Sequence, residues 1–208
     1  MAQTKRLWLV LGLVMAASFA VLGLMGKQIH REAPPEPARV VSQDGGVLFT
    51  IDDIRQGRLA WQSMGGMQVG SIWGHGGYVA PDWSADWLHR EALALLDVWS
   101  EREHGVLYAA LDSGRQAALR DRLKAEMRAN TYDPAAATIM VSAERAQAIR
   151  RVAGHYESLL GADPALTALR EQYAIANDAV PDAARRADIA AFFFWTSWAA
   201  ATDRRGQD

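Results

Sequence analysis

GGMQVGSIWGHGGYVAPDW, residues 65–83, holds six glycines and one proline and has no helical period. So many positions without a Cβ cannot sustain a helix, and a connection of this length in a compact domain is functional or leans on a partner. The flanking segments have the opposite character. Upstream, Thr50-Ile51-Asp52-Asp53 reads as a capping box with an acidic first turn, which predicts a helix from Ile51 to Ser63 stopping at Gly65-Gly66. Downstream, Leu88, Ala92, Leu95, Leu96 and Trp99 recur at helical spacing behind Ser84 as the expected cap, giving a helix that ends near Glu103. The stretch is an ordered loop pinned between two helices, and the fold class that follows is mainly α.

Further out the same reasoning repeats. Val40-Val41 and Val47-Leu48-Phe49 flank Gln43-Asp44-Gly45-Gly46, which predicts a small β-hairpin. Leu119, Leu123 and Met127 mark a helix from Gly114 to Ala129, and Ala146, Ile149, Val152, Tyr156 and Leu159 mark another from Ser142 to Leu160. Asp163 as cap with Pro164 in the first turn opens a further helix. From Pro181 to Thr202 the run Ile189, Phe192, Phe193, Phe194, Trp195 and Trp198 is too apolar for a surface helix and too short to span a bilayer. It either packs on the domain or leads into a membrane segment.

At the other end, LWLVLGLVMAASFAVLGLMG, Leu7 to Gly26, contains no charge. At about 1.5 Å per residue it matches the roughly 30 Å hydrocarbon core of a bilayer. Lys5 and Arg6 before it, with Trp8 at its start, put the N-terminus in the cytoplasm and the rest across the membrane, in a bacterial envelope the periplasm. The rival reading is a cleaved signal peptide with Ala16, Ala17 and Ser18 at the cleavage site, but the apolar run continues through Phe19, Val21, Leu22, Leu24 and Met25. Pro34, Pro35 and Pro37 make 27–39 a semi-rigid linker. The expected organisation is a cytoplasmic tail at 1–6, an anchor at 7–26, the linker at 27–39, a domain at 40–180 and an apolar tail at 181–208.

Composition narrows the chemistry. The 208 residues carry 22 Lys and Arg against 24 Asp and Glu with no basic block, so a nucleic-acid partner is excluded. With no cysteine, the chain can form no disulfide, Cys-ligated zinc or iron–sulfur site, and no thioether-bound haem. The loop lacks the lysine and hydroxyl ending of a phosphate-binding loop, and no ordered Ser-His-Asp array or nucleophile elbow is visible. His75 and His89 with Asp82 or Asp86 offer a metal reading, against which His75 satisfies loop backbone and His89 lies on a helix surface. A di-iron centre needs a pair of Glu-x-x-His motifs with further glutamates, and the chain does not supply the pair. The indoles of Trp73, Trp83 and Trp87 read either as a ligand cage or, the favoured reading, as plugs filling volume beside glycines.

Two blocks resemble a known family. Residues 57–91, GRLAWQSMGGMQVGSIWGHGGYVAPDWSADWLHRE, are similar to the N-terminal region of the quinol-dependent nitric oxide reductases. Residues 192–202, FFFWTSWAAAT, resemble the family segment before its second membrane helix. The resemblance implies a membrane anchor followed by a cytochrome-c-like periplasmic domain that has lost its haem. Its role would be structural, capping a catalytic membrane core that carries two haems b, a non-haem iron and the quinol site. None of those ligands falls within these residues, so no catalytic residue and no cofactor is carried over. The partners implied are that core, fused or separate, and the lipid bilayer of the inner membrane. Trp73, His75, Tyr78, Asp82 and Trp83 are the candidate structural or interface residues. The alternative is a stand-alone membrane-tethered binding or sensing module with a pocket in the loop.

Overall fold

The computed structural model describes residues 2–74 and 79–203. The chain divides into two compact units, one reaching from the N-terminus to Pro35 and a domain that begins at Glu36. In the first, α1 (Ala2–Glu32) is one continuous helix whose stretch Thr4–His30 is long and apolar enough to cross a membrane. The helix also takes in Lys27 to Glu32, which the sequence pattern places in the linker. No proline occurs before Pro34, and Gln28 Nε2 donates to Glu32 Oε1 one turn on (3.1 Å), so nothing interrupts the ladder until the proline rings do.

The domain is mainly helical. The expected hairpin forms from β1 (Arg39–Ser42) and β2 (Val47–Thr50), antiparallel with a bulge between Val40 and Val41. Thr50 and Asp53 close a full capping box, Thr50 N–H to Asp53 Oδ2 at 2.7 Å and Asp53 N–H to Thr50 Oγ1 at 3.3 Å, and α2 runs Ile51–Ser63 as predicted. α3 (Trp83–His104), α4 (Ser113–Arg128) and α5 (Ala143–Leu160) follow the predicted helices closely. Sequence reasoning missed β3 (Tyr132–Asp133) and β4 (Thr138–Val141). β4 pairs parallel with β1, so the sheet runs β2-β1-β4-β3. The helix expected after Asp163 is reduced to a 3₁₀ turn, Pro164–Leu166, and a short α6 (Thr167–Gln172), although Asp163 caps it as anticipated.

The apolar run at 181–202 becomes α7 (Ala183–Ala201), which packs on α2, α3 and α5, with every residue from Ile189 to Ala199 buried. Of the two readings open for this run, packing on the domain is the one observed. A helix enclosed on all sides has no polar face to keep, which is why its sequence exceeds surface norms. Its closest neighbour is α2: a Cβ on Gly57 would lie 1.9 Å from the Asp188 carbonyl oxygen, so the two backbones meet where only glycine fits. A second, smaller cluster of Leu95, Leu96, Trp99, Leu111, Leu119 and Met127 closes the gap between α3 and α4.

Candidate functional site

The loop between α2 and α3 is built around its own backbone. After Met64 the chain turns through Gly65 and a 3₁₀ segment, Gly66–Val69, to Gly70 at φ +104°. Gly70 is fixed by space as well as by torsion, since a Cβ there would come within 2.4 Å of Trp83 Nε1 and 2.6 Å of the Pro81 oxygen. Ser71 then pairs with the far end of the loop: its N–H donates to Pro81 O (3.1 Å) and its carbonyl accepts from Trp83 N–H (2.8 Å). These two backbone hydrogen bonds close the neck of the loop, satisfying groups that no regular element pairs.

Asp82 locks that neck. Its Oδ2 accepts from Ser71 Oγ (2.7 Å) and from Gly74 N–H (2.6 Å), while Oδ1 accepts from Ala85 N–H (2.9 Å). Asp82, not Ser84 as the sequence suggested, therefore caps α3. Partial burial pushes its carboxyl upward, but the donors at Gly74, Ser71, Ala85 and Ser84 outweigh that and hold it below the usual aspartate range. Ser84 also accepts from Trp73 N–H (3.3 Å).

Trp83 and Trp87 are plugs. Both are fully buried. Trp83 stacks on Phe193 (centroids 5.2 Å, planes 6° apart) and donates its Nε1–H to Val69 O (2.8 Å), tying the loop to α7. Trp87 stacks on Tyr156 (5.3 Å, 7°). Trp73 is different: its indole N–H donates to Thr196 O (2.9 Å) and its ring leans on Trp195 (5.7 Å), yet it stays 46% exposed on a backbone at φ +58°. A bulky residue in that region carries strain of about 1–3 kcal/mol, which the contacts to α7 offset. Met67 and Val79 are also exposed along this loop. His75 and Tyr78 lie outside the described residues.

The metal reading of Asp86 and His89 finds no support in their geometry. Asp86 Oδ2 accepts from Arg90 Nε (2.8 Å) and the Tyr156 hydroxyl (2.6 Å), Oδ1 from the Tyr173 hydroxyl (3.3 Å), and His89 is exposed. Among the described residues no three His, Asp or Glu side chains gather as a metal site. Burial, reinforced by the Asp86 charge, drives the Tyr156 hydroxyl well above its usual pKa, so it remains a donor.

A buried ion pair escaped sequence reasoning altogether. Glu91 Oε1 accepts from Arg145 Nε (2.7 Å) and Oε2 from Trp87 Nε1–H (2.8 Å), with both charged side chains at most 2% exposed. The i, i+4 spacing of Trp87 and Glu91 was a signal that could have exposed half of this arrangement. Nothing in the sequence joins residue 91 to residue 145.

Residues 37–208 match the family model for the NorB cytochrome c-like domain of nitric oxide reductase. The chain belongs to that family. No curated protein matches it in sequence. The residues of this NorB cytochrome c-like domain do not fit a covalently held haem: there is no cysteine for a thioether, and the rings of Trp83, Trp87, Tyr156 and Phe193 occupy the centre beneath the loop in mutual contact.

Proposed function

We propose that this is a haem-less structural domain of a quinol-dependent nitric oxide reductase, held at the periplasmic face of the inner membrane by α1 with its N-terminus in the cytoplasm. Its task is to cap a catalytic membrane core, which supplies the haem b, the non-haem iron and the quinol site, and to keep water and soluble electron donors from the buried haems. The observation that carries this reading is the filled interior: Trp83 on Phe193 and Trp87 on Tyr156 take up the space beneath the loop with rings that carry no electrons for the reaction. A cytochrome-like domain with no electron-carrying group keeps the value of its shape and its surface.

Within the candidate set, the division of labour follows exposure. Trp73 offers the core an indole edge that is already oriented by Thr196 and Trp195, and Met67 and Val79 extend the apolar surface. Asp82 and Trp83 act from inside, as the lock and the plug that hold this surface in shape. His75 and Tyr78 complete the proposed contact. The test is to co-express the domain with a catalytic core that lacks it and to measure haem b retention and quinol-driven nitric oxide consumption. Restoration by the wild-type domain, reduced several-fold by Trp73→Ala together with Met67→Ser, is the expected result. Unchanged assembly and turnover with the domain omitted would overturn the reading.

A further inference from the structure

Residues 161–180, which contain α6, form an arm closed at its base and fastened at its tip. At the base, Asp178 N–H donates to Gly161 O and Val180 N–H to Leu160 O, both at 3.0 Å. Arg170 braces the arm from within, donating to Asp163 O (2.6 Å) and Thr167 Oγ1 (3.3 Å), and reaches α5 through a longer bond to Ser158 O (3.4 Å). At the tip, Tyr173 ties the arm to α3: its hydroxyl donates to Asp86 Oδ1 (3.3 Å) and accepts from Arg90 Nη2 (3.4 Å), and its ring meets Trp83 edge to face (5.9 Å, 77°). The next residue, Ala174, sits at φ +53°, a left-handed backbone that costs a non-glycine residue energy and so depends on the tip being held.

Both hydrogen bonds of Tyr173 are long, and they end on groups with stronger partners. Asp86 Oδ2 already accepts from Arg90 Nε (2.8 Å) and the Tyr156 hydroxyl (2.6 Å), so Tyr173 is the most weakly held member of the cluster. His155 borders the same cluster from α5, its ring edge-on to Tyr156 (5.5 Å, 76°). Its Nε2 is buried and has no hydrogen-bond partner among the described residues. The charges that reach it come from α3, Arg90 against its protonation and Asp86 in favour. Burial foremost, and then Arg90, hold the imidazole below its ordinary range, with Asp86 alone pulling the other way.

We propose that this arm is an acid-sensitive latch, in which protonation of His155 beside Arg90 releases Tyr173 from Asp86 and lets the tip lift off α3. An imidazolium at this place is a second cation next to the guanidinium and a buried donor in search of an acceptor. Asp86 is the carboxylate whose charge reaches it, and the contact that Asp86 gives up most cheaply is the one to Tyr173. The sign follows from the lowered value: the closed arm has its full advantage above the ordinary histidine value of about 6.5 and loses it as the pH falls from there toward the value in the closed form. The base of the arm contains no member of the cluster and stays shut. Release also frees the edge of Trp83, so the change reaches the plug beneath the glycine-rich loop. The latch stands apart from the capping role proposed above and does not depend on it.

The experiment is hydrogen–deuterium exchange of the full chain in phospholipid nanodiscs, read by mass spectrometry at about pH 7.5 and about pH 5.5, on either side of the histidine value, with exchange times scaled for the intrinsic effect of pH. Peptides covering residues 167–176 should lose protection about tenfold at the lower pH, the scale of one hydrogen bond to a charged group, while those from α7 keep theirs. His155→Gln, neutral at both values, should hold the arm closed throughout. Tyr173→Phe, which lacks the hydroxyl, should leave it open at both, with circular dichroism confirming that each variant folds. Equal protection of the wild-type arm at the two pH values, a loss shared equally by α7, or an undiminished pH response in either His155→Gln or Tyr173→Phe would overturn the proposal. Should His155→Gln fail to fold, the wild-type and Tyr173→Phe comparison decides.

Discussion

A single carboxylate decides whether the loop keeps its shape. Asp82 accepts three hydrogen bonds of 2.6–2.9 Å from Ser71, Gly74 and Ala85, so it caps α3 and closes the neck at once. Replacing it with alanine leaves three donors to find water, and a loss of about 1–2 kcal/mol is expected near neutral pH from the cap alone. Asp82→Asn, itself a good cap, should lose less. The pH dependence follows from the direction of the shift: the folded carboxyl lies below its unfolded value of about 3.9. Its charged-state contribution is therefore complete above that value and disappears as the pH falls through the lower folded value. Urea unfolding followed by tryptophan fluorescence should show a constant gap between wild type and Asp82→Asn from about pH 5 to 8 that closes in stronger acid (~pH 4 and below). A gap that persisted unchanged at the acid end would mean that the carboxylate charge is not what locks the neck.

Between elements, the meeting of α2 and α7 at Gly57 sets the geometry of the whole core. A methyl group there would press on the Asp188 carbonyl at 1.9 Å and on Phe192 Cβ at 2.9 Å, atoms that cannot swing aside as a flexible side chain could. Gly57→Ala should cost about 3 kcal/mol or more through this overpacking, well beyond the ~1 kcal/mol that alanine gains in helix propensity. Thermal unfolding of Gly57→Ala and Gly154→Ala side by side checks this, because Gly154 has open space above it and the same substitution there should be neutral or stabilising. The two glycines look alike in sequence, and only packing separates them. The capping box at Thr50 and the periods of α3, α4 and α5 were legible because each is written in residues a few positions apart. β3 and β4 were not: strands of two and four residues are too short to show an alternation, and the parallel pairing of β4 with β1 joins residues about a hundred positions apart. The cap of α3 was misplaced by two residues because Ser84 and Asp82 are both good caps, and the choice is made by Ser71 and Gly74, across the loop. Of the candidate site, the burial of Trp83 and Trp87 was legible from the glycine-rich neighbourhood, whereas Trp73, read in the same way, stays 46% exposed because the loop carries it to the surface over Trp195. The Glu91–Arg145 pair was invisible, since its partners come from helices that only the fold brings together.

At the scale of the whole molecule, two kinds of apolar surface are satisfied in different ways. The buried clusters draw their residues from Val40 to Ala199, and none comes from α1. The apolar side chains of α1, by contrast, are uncovered by protein: Leu9, Phe19 and Leu22 are each about two-thirds exposed. By length and composition this run matches the ~30 Å interior of a bilayer, the setting proposed for it above. The domain's buried clusters are built without α1, so we expect it to fold without that helix. Removing residues 1–35 should therefore convert a protein that stays with membranes through alkaline carbonate extraction into one that remains in the supernatant. The shortened chain should unfold cooperatively, with a Tm within about 2–4 °C of the full chain in detergent, the shift that ~1 kcal/mol would produce in a domain of this size. Aggregation or non-cooperative melting of the shortened chain would mean that the domain depends on α1 or on its membrane for its fold.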